Sequence, residues 1–417
     1  MTHHQRRSSA HRVLIAGVLA GSVGLFSAGA GVAGAAAAAP ALTVSTQPPG
    51  PVPPQYAGEY ATVNSEVQGF GRLSGAPTSA STTIGTELLS ANGNIGTGLL
   101  RPGAIDGVIN ELDAFEALGV TGVTVDVSFP LLLASTPDSA GYLSFYEQVA
   151  TQVHLRHLVL SVEENPVFVG TPLTTLQISY AGLTLASYAA EQRAQAQTII
   201  DDLHPTYLSL LTEPDTFADA LGLPLDTPAN AAAVVRAELD GLHRGTTLVG
   251  AGAGTWSSPT IDAALLRSTS IDYLDVHVYP IGAADIANLQ TDVAAAKRAG
   301  KTLVMDETWL AKPTATEGTG PAGAPEELKV KSYSFWEPLD TAFVTEMVNY
   351  VRAVGFAYVS FFDGARAFFG YLTWSPALEA ASYQQFSAEY NQLVATNMAS
   401  RTITDPGEAL VQAIAST

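Results

Sequence analysis

The chain has 417 residues, 39 acidic against 19 basic side chains, a formal net charge of −20, eight histidines and no cysteine. So acidic a chain does not bind nucleic acid or anionic membrane through its bulk field. Without cysteine it has no disulfide, no thiolate metal site and no cysteine nucleophile, so core burial alone must hold it, for which its length is enough as one large domain.

Residues 1–39 read as a secretion signal: Arg6, Arg7 and Arg12 are followed by apolar Val13 to Phe26 and an Ala/Gly tract ending at Ala39. The expected location is extracellular, with a retained N-terminal anchor as the alternative; no later stretch is apolar enough to span a membrane. Residues 40–82 read as an N-terminal linker and arm. Ala41 to about Gly58 is Pro-rich and extended, and the Gly/Ser-rich Tyr60 to Ser81 is expected to be loop or a short hairpin.

From Thr83 a rhythm begins and runs through the remaining domain, residues 83–417. Apolar strand-like runs occupy Thr83–Leu89, Val120–Phe129, Leu158–Val162, Tyr207–Leu211, Thr247–Gly250, Tyr273–Val278, Thr302–Met305 and Phe356–Phe362. Between them lie helical patterns at Ile105–Leu118, Tyr142–Val153, Ser187–Leu203, Pro228 to about Leu242, Ile261–Leu266, Ile286–Ala299 and Phe343–Val354, and a last helix covers about Ala381–Thr396. Thr227 with Pro228 marks an N-cap and first turn, and Gly300 and Gly355 mark helix ends. Eight strands alternating with helices in about 300 residues predict an α/β protein, a closed (β/α)₈ TIM barrel, rather than an open doubly wound sheet. No GxGxxG follows a strand. The long insert Lys312–Pro338, with its aromatic SYSFWEP, is expected to overhang the top of the barrel.

In such a barrel every strand exit lies on one face, where the active site is built. The fourth strand exits on Thr212-Glu213-Pro214, and the seventh on Asp306-Glu307-Thr308-Trp309. Two glutamates facing each other across the mouth are what a two-carboxylate glycosidase uses, one as acid and base and one as nucleophile. Acids at strand exits also serve barrels of other chemistry, such as lyases, so the spacing alone leaves the reaction open. Strand alternation points Asp306 away from Glu307 as a structural residue. Glu163, Glu164 and Asn165 leave the third strand and Glu87 the first; Asn165 and Glu87 are candidate substrate contacts. Asp363 is placed to bind a sugar hydroxyl or Arg366. Trp256, Trp309, Trp336 and Trp374 all fall in loops on the top face, where flat rings stack on sugars. The histidines outside residues 1–39 are His154, His157, His204, His243 and His277, with no HExxH, so a zinc hydrolase is not expected. His154, His157 and His204 read as helix-terminus partners. A GxSxG elbow is also missing.

The Glu213-Pro214 exit, His277-Val278-Tyr279-Pro280 on the sixth strand and Glu307 on the seventh resemble the clan A retaining glycoside hydrolases, a superfamily that includes endo-galactanases, cellulases and mannanases. The resemblance covers roughly Thr83 to Ser375 through short motifs. It implies that Glu213 is the acid/base and Glu307 the nucleophile. It also implies that Tyr279 steers Glu307, with His277 alongside. Departures are present too. Thr212 stands where the family usually has Asn, Asp126 and Ser128 occupy the region of a usual Arg, and Phe361-Phe362-Asp363 lacks the usual Trp unless Trp374 replaces it. The expectation is a secreted, monomeric glycosidase without cofactor or metal, acting on a β-linked carbohydrate. The alternative is a barrel that keeps the cleft as a carbohydrate-binding or cell-wall protein.

Overall fold

The computed structural model of the protein describes residues 41–73, 81–171, 173–312 and 329–416. The expected secretion signal and most of the insert after Lys312 therefore lie outside the described residues. Eight strands form a closed barrel in chain order: β1 (Thr83–Glu87), β2 (Gly122–Asp126), β3 (Val159–Glu163), β4 (Tyr207–Ser209), β5 (Leu248–Gly254), β6 (Tyr273–His277), β7 (Thr302–Thr308) and β8 (Tyr358–Phe361). Every neighbouring pair is parallel, and β8 closes onto β1. Parallel barrel strands are covered on both sides, which is why they read as unbroken apolar runs.

The lumen fills in two layers. At the bottom the rings of Tyr207, Tyr273 and Tyr358 pack with Val304. Glycines on the neighbouring strands make room for them: a Cβ at Gly250 would lie 2.1 Å from the Tyr273 ring, and one at Gly85 2.5 Å from the Tyr358 oxygen. Above the rings sits a buried polar layer of Ser161, Ser209, Asp275 and Asp306. Ser209 Oγ lies 2.7 Å from Asp275 Oδ2 and 2.8 Å from Asp306 Oδ2, while Ser161 donates to Asp306 Oδ1 at 2.6 Å. One serine proton cannot serve two carboxylates. Burial, with the charges of Asp275 and Glu163 adding, pushes the Asp306 carboxyl well above its usual range.

Asp306 therefore does not face away from Glu307. The pairing of β7 with β8 shifts register between Met305 and Thr308. A bulge of this kind breaks the period of two and turns consecutive side chains to one side.

The helices that matter below are α1 (Ala57–Gly71), α2 (Ala104–Leu118), α3 (Ser139–Leu155), α4 (Leu185–Thr198), α5 (Pro214–Leu221), α6 (Pro228–Leu239), α7 (Thr260–Ser268), α8 (Ala283–Ala299) and α9 (Glu337–Val354). Four more follow: α10 (Gly364–Phe369), α11 (Pro376–Ala380), α12 (Tyr383–Ser400) and α13 (Asp405–Ala415). The Thr227 cap on α6 forms as its sequence suggests, its hydroxyl accepting from Asn230 N. The arm departs from expectation, because residues 57–71 form helix α1 rather than loop or hairpin. Val63, Val67 and Phe70 at spacings of four and three are buried, and Phe70 packs on Phe343 and Tyr350 of α9. Docking of that stripe, rather than local propensity, makes α1 a helix. Ahead of it, Thr43–Val44 pairs in parallel with Thr402–Ile403, tying the arm to the far end of the chain. No helix among the described residues is long and apolar enough to cross a membrane.

Candidate active site

Alternation along two strands aims a column of polar side chains at the mouth. Ser161, Glu163 and Asn165 do so on β3 and its exit, and Asp275, His277 and Tyr279 on β6 and its exit. Pro214 opens α5 as its first residue, which halts β4 and fixes Glu213 as the residue before the helix. The β7 bulge brings Glu307 in beside Asp306. Glu163, Glu213, His277, Tyr279 and Glu307 are all at most 1% exposed.

His277 is the hub. Its Nδ1 lies 2.9 Å from Glu213 Oε1 and 3.7 Å from Glu307 Oε2. Its Nε2 lies 3.1 Å from Glu163 Oε1 and 3.6 Å from Asp275 Oδ2. Where the facing carboxyls are ionised, a ring that meets them at both nitrogens donates from both, as the imidazolium does. Burial works against that charge, but Glu163, Glu307 and Asp275 outweigh it and raise the His277 pKa well above the usual range.

Glu213 and Glu307 each bring a carboxylate oxygen within 4.8 Å of the other and of a His277 nitrogen. Thr216 donates to Glu213 Oε2 at 2.7 Å, and the Tyr279 hydroxyl donates to Glu307 Oε2. Burial raises both carboxyls. On Glu213 the hydrogen bond and charge of His277 offset part of the rise. On Glu307 the charge of Glu163 adds to burial, His277 opposes it, and Glu87 and Glu213 add again. Two acids under mutual repulsion share protons as a unit, so one of them is readily held protonated while its partner is ionised.

The same groups form two three-residue sets that would suit a metal ion, Glu213–His277–Glu307 and Glu163–Asp275–His277. Both sets depend on His277, whose two nitrogens already face acids. Thr216 directs a proton at the other oxygen of Glu213, and Tyr279 directs one at the Glu307 oxygen that lies near His277. This donor pattern is that of a hydrogen-bonded charge network, not an ion cage.

Around the pair, Trp256 and Trp309 lie where the sequence places them. The Trp256 ring is 5.3 Å from that of Tyr279, and its Nε1 donates to Asp215 Oδ2 at 3.1 Å. Trp309 packs edge-on against Phe362, which packs edge-on against Tyr279. Phe362 thus packs between Trp309 and Tyr279 at the exit of β8. Lys312 and Lys331 lie over the Trp309 ring at 5.3 and 4.5 Å. Thr212 donates to Asn165 Oδ1 at 3.0 Å, and Asn165 donates to Glu163 Oε2 at 3.1 Å. Glu87 accepts from Asn92, which also donates to Asp126 Oδ2 at 2.8 Å. Asp363 pairs with Arg366 at 3.5 Å. His154 and His204 meet the backbone carbonyls of Leu203 and Ile200, as helix-terminus partners.

Two tryptophans are corrected. Trp336 is fully buried, stacks on Tyr60 and packs at a tilt against Phe335, so it fastens α1 to the start of α9 and is not a cleft residue. Trp374 donates to Glu379 Oε2 at 3.0 Å, the carboxylate that also receives Gln55 and Tyr56 of the arm. Loop position predicts both on the cleft, but the arm folds against those loops and claims them. Sequence reading did not assign Asp275, Thr216 or Phe362 to the site. For Asp275 a signal existed, since it precedes His277 by two on one strand.

The molecule is thus a (β/α)₈ barrel with a buried pair of glutamates at the C-terminal mouth, bridged by an imidazolium. No protein-family model matches the chain, and no curated protein matches its sequence. Solved structures share its architecture. An exo-β-1,4-mannosidase from Opitutaceae bacterium strain TAV5 superposes with a TM-score of 0.51 at 15% identity, over 80% of this chain and 59% of that one. A β-mannanase from Bacteroides ovatus (15% identity, 79% and 93% covered, TM-score 0.43) and a family 1 β-glucosidase from Thermotoga maritima (12%, 77% and 98%, 0.43) also match. The mannosidase likeness is one of fold, and this chain spans about three-fifths of that chain's length.

Proposed function

We propose that this protein is a retaining glycosidase that hydrolyses a β-linked oligo- or polysaccharide outside the cell. The observation that carries the reading is the Glu213–Glu307 pair, with oxygens inside 4.8 Å of each other at the barrel mouth. Retaining glycosidases hold their carboxyls about 5–5.5 Å apart, whereas inverting enzymes leave room for a water at about 6.5–9.5 Å. In the first step Glu213 gives its proton to the glycosidic oxygen, the bond to the anomeric carbon breaks, and the Glu307 carboxylate takes that carbon. In the second, Glu213 removes a proton from water as its oxygen attacks the same carbon, and Glu307 leaves as a carboxylate. Tyr279, donating to Glu307, keeps the nucleophile oriented. Trp256, at the rim beside Tyr279, offers a flat face to a sugar ring.

A second reading, a barrel that binds carbohydrate without turnover, is favoured by the 1% exposure of both glutamates and by Thr212 in place of Asn. Hydrolysis of a panel of aryl β-glycosides and β-glycans separates the two. Wild type should cut at least one member, and Glu213→Gln and Glu307→Gln should each lose activity by orders of magnitude while remaining folded. A fluorosugar that traps glycosidase nucleophiles should label Glu307. Binding of a glycan with neither turnover nor labelling would replace the first reading with the second.

A further inference from the structure

Glu163 leaves β3 as a third buried carboxyl at the mouth, and the chemistry assigned to Glu213 and Glu307 does not use it. It is 0% exposed, and both of its oxygens are engaged. Oε2 accepts from Asn165 Nδ2 at 3.1 Å, and Asn165 is itself held by the Thr212 hydroxyl at 3.0 Å. Oε1 lies 3.1 Å from His277 Nε2, while Glu213 Oε1 lies 2.9 Å from Nδ1 of the same ring. Glu163 and Glu213 thus bracket one imidazole.

The acids around that ring are not equivalent. Four face its nitrogens: Glu163 from β3, Glu213 from the β4 exit, Asp275 from β6 itself and Glu307 from β7. The charge of Asp262 on α7 also reaches it, and the Tyr279 ring meets it edge-on at 6.4 Å. Glu213 and Glu307 change protonation or bonding during turnover, so neither is a constant partner. Asp275 makes the longer contact with Nε2, 3.6 Å against 3.1 Å for Glu163. Its oxygens already accept from Ser209 at 2.7 Å and from the Asp306 amide at 3.1 Å. Glu163 is therefore the nearest acid that turnover leaves unchanged. Burial disfavours a charged ring, and of the acids that offset burial Glu163 contributes most. What a histidine presents at one nitrogen is set by the bond it makes at the other.

We propose that Glu163 is the positioning residue of the acid/base: it fixes His277 so that Nδ1 directs a proton at Glu213, and its charge sets the pH range in which Glu213 and Glu307 act. This rests on the glycosidase reading above. A charged ring 2.9 Å from Glu213 Oε1 and 3.7 Å from Glu307 Oε2 favours the ionised form of both. It helps Glu213 release its proton to the glycosidic oxygen, because the carboxylate then formed meets an N–H already in place. Without the Glu163 charge the ring gives up its proton at lower pH, and both carboxyls then keep theirs to higher pH. The acid limb of the kcat/KM profile reports ionised Glu307 and the alkaline limb protonated Glu213, so both limbs move upward.

The test compares wild type, Glu163→Gln and Glu163→Asp as full chains. Glu163→Gln should displace both limbs upward by about 1–3 pH units, the range over which a nearby opposite charge moves a carboxyl. Glu163→Asp keeps the charge on a shorter arm and should fall in between. A role confined to packing lowers kcat at every pH and leaves the limbs in place, which overturns the proposal. NMR of chains carrying isotope-labelled histidine reads the ring without turnover, its signals identified by their absence from His277→Gln. Wild type should hold protons on both ring nitrogens at neutral pH, and Glu163→Gln should lose one of them at a pH lower by about 1 unit or more. A bare ring nitrogen in wild type at neutral pH overturns the proposal whether or not the variants fold. A wild type that cuts no β-glycoside and is not labelled at Glu307 ends the glycosidase reading, and the role of Glu163 in turnover with it. An active, labelled enzyme whose limbs do not move in Glu163→Gln ends this proposal alone.

Discussion

Replacing His277 by Gln tests whether one imidazolium holds the mouth of the barrel together. Four carboxyls lie within 3.7 Å of its ring nitrogens: Glu213, Glu163, Asp275 and Glu307. Each is at most 1% exposed, so water does not replace the lost charge. Removing one partner of a buried charge pair costs about 3–5 kcal/mol, because the other is left uncompensated. About 350 described residues, at about 2.1 cal/mol/K each, give an unfolding entropy near 0.7 kcal/mol/K, so Tm should fall by about 4–7 °C. The sign with pH follows from the shifts. His277 has a raised pKa, so its stabilisation is complete below the unfolded value of about 6.5 and is lost as pH rises through its folded value. Glu213 and Glu307 are also raised, so they favour the fold when protonated and oppose it when ionised. Near pH 4, however, the raised Glu213 and Glu307 carboxyls are protonated and leave little charge for His277 to offset, so the cost of His277→Gln should be smallest there and grow toward pH 7 as they ionise. Calorimetry of both proteins at the two pH values checks this. A variant within about 1 °C of wild type at pH 7 would refute the assignment of His277 as the counter-charge.

The remaining expectations concern catalysis, pH and the rim. With an activated aryl glycoside and azide, Glu213→Ala should be rescued to the retained glycosyl azide and Glu307→Ala to the inverted one; the reverse pattern by NMR would exchange their roles. Tyr279→Phe removes a hydrogen bond to a charged group worth about 1.5–3 kcal/mol, so kcat should fall roughly ten- to a hundredfold with little change in KM. Asp126 is pushed up to about 8 by burial and by the charge of Glu163, and burial raises Glu111 and Asp292 to about 7. Raised carboxyls stabilise the fold below their unfolded pKa of about 4 and lose that contribution as pH climbs through 7–8. Thermal stability should accordingly be higher at pH 5 than at pH 8.5, and a flat or rising profile would refute this. Trp336→Ala should cost about 3–5 kcal/mol in urea unfolding, while Trp256→Ala should weaken sugar binding with little effect on stability.

The barrel was legible because its strands are covered on both faces and therefore read as apolar runs, each stopped by a polar residue or a proline. The mouth was legible for a related reason: parallel strands leave on one face, so Glu213, His277, Tyr279 and Glu307 had to meet. What escaped depends on partners distant in sequence. Helix α1 carries three glycines in its fifteen residues, and its buried stripe is recognisable only against Phe343 and Tyr350. The inward turn of Asp306 comes from a register shift between β7 and β8, which no local pattern encodes. Trp374 sits in a loop as expected, whereas Trp336 ends a 3₁₀ turn at the start of α9, and the arm, not the cleft, engages both.

Thr212 shows how a departure in sequence is absorbed by neighbours in space. A Thr before the acid/base gives up the amide that the clan A resemblance would put there. In the fold its hydroxyl donates to Asn165 Oδ1, and Asn165 comes from the next strand exit, in the column that also holds Ser161 and Glu163. An amide is therefore present at the mouth, moved one strand over and oriented by Thr212 on one side and Glu163 on the other. Because Glu163 also accepts from His277, one continuous chain of hydrogen bonds runs from Thr212 through Asn165, Glu163 and His277 to Glu213. Residue 212 thus reaches the glutamate beside it through the neighbouring strand and back, so the loss of its amide alters the route by which Glu213 is held without leaving that carboxyl unsupported.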